Sequence, residues 1–126
     1  MIHGIGIDHC SISRIQRILD REGEDGAFFQ RTFTAAERKE GAARHDTAAF
    51  YAARFAVKEA VYKALGWHNL DLREIESLHR ENGSPYVFIN QALFQAIDSC
   101  RIVALHLSVT TEGDTAAAFV VAEKSE

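Results

Sequence analysis

Apolar residues along this chain switch between strand and helical spacing several times, and each switch marks an element. Ile2, Ile5 and Ile7, interrupted by Gly4 and Gly6, predict a short first strand that ends at Asp8. From Ser11 onward Ile12, Ile15, Ile18 and Leu19 form a helical stripe, with Ser11 placed to cap it and Gly23 and Gly26 to stop it. Phe28, Phe29 and Phe33 follow as a compact aromatic cluster. Thr34-Ala35-Ala36-Glu37 has the hydroxyl-to-carboxylate spacing of a capping box, so a further helix is predicted from Thr34 to about Arg44. The clearest helix runs from Asp46 to Leu65, with Asp46 as its N-cap, an Ala-rich interior and Gly66 just past its end. Two strands, Leu72–Glu81 and Tyr86–Ile89, are predicted around a turn at Glu81-Asn82-Gly83-Ser84-Pro85. Gln91–Cys100 reads as a short helix on Leu93, Phe94 and Ile97, and Val103–Thr110 with Ala116–Ala122 as a hairpin around Glu112-Gly113-Asp114. Helices come mostly early and strands mostly late. That order predicts an α+β fold, a small antiparallel sheet with one long helix packed on it, over a doubly wound parallel one.

Composition narrows the class. A chain of 126 residues, 47% hydrophobic and 25% charged, is long enough for one real core without disulfides, and a single domain over residues 1–126 is expected. It is neither a disordered nor a disulfide-dense composition. A formal net charge of -4 argues against a bulk nucleic-acid binder while leaving room for a local basic face. Cys10 and Cys100 lie far apart with no metal-type spacing and read as reduced packing residues. No targeting segment is recognisable, and no run approaches the roughly 18 apolar residues of a membrane span, so a cytoplasmic protein is expected.

The chemistry concentrates in Arg54-Phe55-Ala56-Val57-Lys58-Glu59-Ala60-Val61-Tyr62-Lys63-Ala64-Leu65-Gly66. Positions 54, 58 and 62 share one stripe of a helix, and Glu59 and Lys63 share an adjacent one. Without context this is a solvated face carrying an Arg–Lys ladder and a Glu–Lys pair, and Asp8 is a turn or cap residue. Together, Asp8 and Glu59 would instead offer a two-carboxylate site for a hard cation. Mg2+ takes one or two protein carboxylates and completes its octahedron with water and phosphate oxygens, which neighbouring cations would also hold. The same set would serve a hydrolase of a nucleotide pyrophosphate. His3, His9, His45, His68, His79 and His106 show no zinc-type spacing, and neither a P-loop nor a nucleophile elbow is present.

Several stretches carry a resemblance in order and spacing. They are Gly6-Ile7-Asp8 with Arg14-Ile15, then Arg31-Thr32-Phe33-Thr34-Ala35-Ala36-Glu37, then Arg54-Phe55-Ala56-Val57-Lys58-Glu59-Ala60 with Lys63-Ala64-Leu65-Gly66. Gly83-Ser84-Pro85, His106-Leu107-Ser108-Val109 and Ala116-Ala117-Ala118-Phe119-Val120-Val121 extend it over essentially the whole chain. The chain resembles the 4′-phosphopantetheinyl transferases, and among them the small holo-(acyl-carrier-protein) synthase group.

The resemblance implies an enzyme that moves the 4′-phosphopantetheine group from coenzyme A to a serine of an acyl carrier protein and releases 3′,5′-ADP. It implies Mg2+ dependence and a homotrimer with its sites in clefts between subunits. By the same resemblance Asp8 and Glu59 are the metal-binding carboxylates, and Lys63 lies near the pyrophosphate; these three are the expected catalytic set. Arg54 and Lys58 are cations associated with the coenzyme, and Gly66, Pro85, Ser108 and Thr110 are further coenzyme contacts. Glu59 and a metal-bound water are both candidates for the base. Arg14, Arg17 and Arg21, spaced along one face of the first helix, read alone as a solvated face; the resemblance makes them a docking surface for an acidic carrier protein. Three departures stand out. Gly66-Trp67-His68-Asn69-Leu70 replaces a Gly-Thr-Gly-type loop, Thr111 precedes Glu112 where many members carry a histidine, and Ser11 stands where an acid is common. These changes leave an alternative expectation, a non-catalytic trimeric carrier-binding protein that has lost the coenzyme.

Overall fold

The computed structural model describes residues 1–66 and 70–126. Strand β1 (Ile2–Ser11) leads directly into helix α1 (Ile12–Glu22), followed by α2 (Ala27–Thr32), α3 (Ala35–Ala42) and the long α4 (Thr47–Leu65). A 3-10 turn (Leu72–Glu74), strands β2 (Glu76–His79) and β3 (Pro85–Phe88), helix α5 (Gln91–Ser99) and strands β4 (Ile102–Glu112) and β5 (Thr115–Lys124) complete the order. The last strand lies between the first and the fourth, giving an antiparallel sheet in the order β1-β5-β4, while β2 and β3 form a separate antiparallel hairpin. The class is α+β, as the element order predicts.

Helix α4 is the spine, and the reason lies in small residues. Its Ala60 and Ala64 carbonyls sit so close to β1 that a Cβ at Gly6 would overlap the Ala60 oxygen, and one at Gly4 the Ala64 oxygen. Only glycine permits that approach. The facing side of β5 continues the theme with buried Ala116, Ala118, Val120 and Ala122. The other end of α4 buries Phe50, Tyr51 and Ala52 against Ile15 and Ile18 of α1 and the expected aromatic cluster, where Phe29 and Phe33 each lie within 4.8 Å of the Tyr51 ring by centroid. Packed between two cores, α4 is buried nearly all round rather than along one stripe.

Several predicted boundaries shift for identifiable reasons. β1 continues past Asp8 to Ser11 because β5 pairs with it along that whole length, Asp8 opposite Ala118 and Ser11 opposite Thr115. Asp46 precedes α4 without capping it by its side chain, since Arg44 takes the carboxylate through two bonds of 2.7 and 3.0 Å. Leu72–Glu74 is a 3-10 turn rather than strand because Asp71 and Glu74 cap it reciprocally, so β2 starts only at Glu76. The Thr34–Glu37 capping box forms as its spacing predicts.

Candidate active site

The Gly6–Ala60 contact brings β1 alongside the C-terminal half of α4, two residues before Asp8. Side chains alternate along a strand, so Asp8 points to the same side as Gly6 and buried Cys10, toward the helix. There Lys63 Nζ donates to Asp8 Oδ1 at 3.3 Å and to the Ile7 carbonyl at 3.0 Å. Glu59, one helical turn earlier on the same stripe, is half-buried. Burial, and then the Asp8 charge, push its carboxyl above the usual range, with Lys63 opposing. Asp8, Glu59 and Lys63 therefore converge, and Gly66, in the left-handed region at φ 79, ends the helix one turn beyond Lys63. Two carboxylates against one exposed ammonium leave the pair short of positive charge. A divalent cation would supply it, and the donor set fits the hard, partly hydrated Mg2+.

The other predicted coenzyme residues divide between two places. Arg54 is 2% exposed, its guanidinium against the His79 ring and 4.8 Å from the Phe50 centroid, with Nε lacking a partner among the described residues. Its position lowers its pKa, first through burial, with Glu40 and Glu37 opposing. With Pro85, Gly83, His79 and Thr111 it lines a groove of about 330 Å³. Ser108 and Thr110 stand on the opposite face of the sheet, beside Ile7 and Phe119 in a shallow hollow of about 150 Å³. Ser108 pairs with Phe119 and Phe119 with Ile7, one residue out of phase with the row that holds Asp8. In one protomer, then, Ser108 and Thr110 do not join Asp8, Glu59 and Lys63. Arg54 lies five residues before Glu59, about 140° away around the helix, so its groove is on another flank as well.

Lys58 corrects both sequence readings of its stripe, the solvated face and the coenzyme cation. It is 0% exposed. Its Nζ forms a 2.7 Å ion pair with Glu37, also 0% exposed, and donates to the Leu72 and Ile75 carbonyls at 2.9 and 2.7 Å. Every proton of the ammonium is committed inside the protein, so none remains for a phosphate. Burial draws its pKa down and Glu37 pulls it back. Glu37 also accepts from the backbone N–H groups of Thr34 and Ser77, at 2.9 and 3.0 Å. The capping-box signal marked Glu37 in the sequence, but only as a local helix start.

Arg14, Arg17 and Arg21 lie together on α1 and line a hollow of about 390 Å³ with Arg31 and Phe28. Arg31 belongs to the same basic patch, yet sequence reading gave it no role, because α2 was not recognised as a helix. Trp67, His68 and Asn69, the core of the departing loop, lie outside the described residues.

The profile of the 4′-phosphopantetheinyl transferase superfamily matches residues 4–120. A holo-(acyl-carrier-protein) synthase of Myxococcus xanthus is 41% identical over 126 residues, covering 95% of this chain and 94% of its own. The crystal structure of the corresponding synthase from Neisseria meningitidis is 38% identical with a TM-score of 0.89, covering 98% of this chain and all of that one. The synthase from Bacillus anthracis, solved in complex with coenzyme A (3′,5′-ADP), is 31% identical with a TM-score of 0.80 over 99% of both chains. This chain belongs to the 4′-phosphopantetheinyl transferase superfamily, in its holo-(acyl-carrier-protein) synthase group.

Proposed function

We propose that the chain transfers the 4′-phosphopantetheine group of coenzyme A to a serine of an acidic acyl carrier protein, with Mg2+ held by Asp8 and Glu59. The observation that carries this reading is the convergence of Asp8, Glu59 and Lys63 where β1 meets α4. In the transfer, the serine oxygen gives its proton to Glu59 or to water and bonds to the phosphorus nearer the pantetheine, while the bond from that phosphorus to the bridging oxygen breaks and this oxygen departs with 3′,5′-ADP. Such a displacement depends on positioning and on neutralising oxyanion charge. Mg2+ bound at the two carboxylates would spread the charge of the pyrophosphate oxygens. Lys63, half-exposed, is able to swing from Asp8 toward a phosphate. Arg54 and Pro85 offer their groove to the anionic part of the coenzyme, and Arg14, Arg17 and Arg21 receive the carrier. We place the activity in the cytoplasm.

The outer sheet face supports self-association, and the family resemblance makes that assembly a homotrimer. Ile7 is 64% exposed and Phe119 42%, adjacent on neighbouring strands, with Ile5 exposed beyond them. Packing this face against another subunit would place Ser108 and Thr110 of one protomer at a neighbour's cleft, joining positions a single chain keeps apart.

Incubation with coenzyme A, Mg2+ and an apo-carrier protein, followed by mass spectrometry, tests the reading. The carrier gains one phosphopantetheine with the wild-type chain. Chelation of the metal, or Glu59→Gln in a chain that remains folded, abolishes most of that gain. Undiminished transfer by Glu59→Gln would refute the proposed site, and coenzyme cleavage without carrier would indicate a hydrolase.

A further inference from the structure

The turn joining β4 to β5 reaches back to the start of the helix that carries the arginines. Asp114 is the second residue of the two-residue turn Gly113–Asp114, entered through Gly113 at φ 58. Its Oδ1 accepts the Ser13 N–H at 2.8 Å, and its Oδ2 accepts the Ser11 and Ser13 hydroxyls, each at 2.8 Å. Its main-chain carbonyl accepts the Ile12 N–H at 2.8 Å. Ser11 Oγ then accepts the Arg14 N–H at 3.2 Å. Two N–H groups of the first turn of α1 are thus satisfied by a residue about a hundred positions away, and a third through a side chain that residue holds.

The location gives these bonds a consequence beyond capping. β1 passes into α1 with no loop between them, Ser11 being the last strand residue and Ile12 the first helical one. Asp8 lies three residues before that junction and Arg14 three after it. The angle at which α1 leaves the sheet therefore sets how far Arg14 and Arg17 stand from Asp8. A helix following a strand has no preferred angle built into its own hydrogen bonds, so the angle is fixed from outside: Ile15 and Ile18 pack the helix onto α4, and Asp114 holds its N-terminal end. The serines at positions 11 and 13 are what let one carboxylate grip both sides of the junction.

We propose that Asp114 is a positioning residue for carrier recognition, clamping the N-terminus of α1 to the β4–β5 turn so that Arg14 and Arg17 present the carrier to Asp8. The inference rests on the reading of the arginine face as the carrier dock. Hydrogen bonds from Ser13 and Ser11 hold the Asp114 carboxyl below its ordinary pKa.

The sign of one substitution separates positioning from simple charge. Asp114 is a negative group near Arg17. If it acted only through its field, Asp114→Ala would strengthen the attraction of an acidic carrier and lower the carrier KM. A clamp predicts the reverse: Asp114→Ala raises the carrier KM by about threefold or more, while the coenzyme A KM and the rate at saturating carrier change little. Asp114→Asn, which keeps an acceptor for the Ser13 N–H, restores most of the wild-type carrier KM, and hydrogen exchange at the Ser13 amide is faster in Asp114→Ala than in Asp114→Asn. Arg14→Ala is measured alongside as a test of the dock itself. A raised carrier KM in Arg14→Ala with an unchanged or lowered one in Asp114→Ala overturns the clamp and leaves the dock standing. No change in either variant overturns both. An equal rise in both substrates' KM values, or a lowered Tm with unchanged KM values, reduces Asp114 to a plain structural role and overturns the inference.

Discussion

Lys58 and Lys63 are five residues apart on one helix, and the structure gives them opposite work. Lys63 stays at the surface beside Asp8, whereas Lys58 is sealed against Glu37. The spacing around Glu59 identifies both as cations near a carboxylate, and that part of the candidate site is legible because helical periodicity places 59 and 63 on one stripe. What spacing could not reveal was the carboxylate from α3 that waits inside for Lys58, since Glu37 is a long-range partner in another local motif. A fully buried ion pair is an expensive element to break from one side. Lys58→Met should therefore lower unfolding stability by about 3–5 kcal/mol in urea titrations, because Glu37 keeps a desolvated charge without its ammonium. Adding Glu37→Gln to Lys58→Met should recover a substantial part of that loss. If the single variant is as stable as wild type, the pair is not the hub of α3, α4 and the Leu72–Ile75 segment.

Among the elements, β1 departs most from ordinary strand logic. Its isoleucines face outward and its glycines face the helix, the reverse of the usual apolar-in alternation. Sequence reading recognised the strand, yet read Gly4 and Gly6 as interruptions. Their function becomes visible only when the Ala60 and Ala64 backbone is seen against them. The capping box, α4, α5 and the final hairpin were legible because their signals are local. Helix α2 was not, because its six residues are an aromatic cluster shaped by packing on Tyr51 and Phe33. A methyl group at position 6 has no side chain to displace, only the Ala60 carbonyl. Gly6→Ala should accordingly destabilise the protein by about 1–3 kcal/mol or more, as overpacking does. Since the same contact aligns Asp8 with Glu59 and Lys63, the folded fraction should also transfer more slowly. A variant with wild-type Tm and rate would show that β1 can retreat from α4 without disturbing the site.

At the scale of the molecule, the positions singled out for one coenzyme occupy three flanks of the chain: the β1–α4 junction, the Arg54–Pro85 groove and the outer sheet face with Ser108 and Thr110. Local sequence could not reveal that division, because resemblance assigns residues to a ligand without assigning them to the same copy of the chain. One subunit's geometry separates them, and the proposed homotrimer would bring Ser108 and Thr110 of one copy against a neighbour. The driving force is present there, as adjacent exposed Ile7 and Phe119 side chains with Ile5 form an apolar surface that loses contact with water on association. The wild-type chain should sediment as a trimer at micromolar concentration. Phe119→Asp should shift it toward monomer, since a carboxylate on each of three copies would be desolvated at the interface. Its position on β5 faces away from α4, so the fold should survive, with little change in the far-ultraviolet circular dichroism. Transfer activity should fall with the trimer and recover in mixtures only where trimers reform. A monomeric Phe119→Asp that transfers phosphopantetheine at the wild-type rate would mean that Ser108 and Thr110 take no part in the site, and that one protomer holds the coenzyme alone.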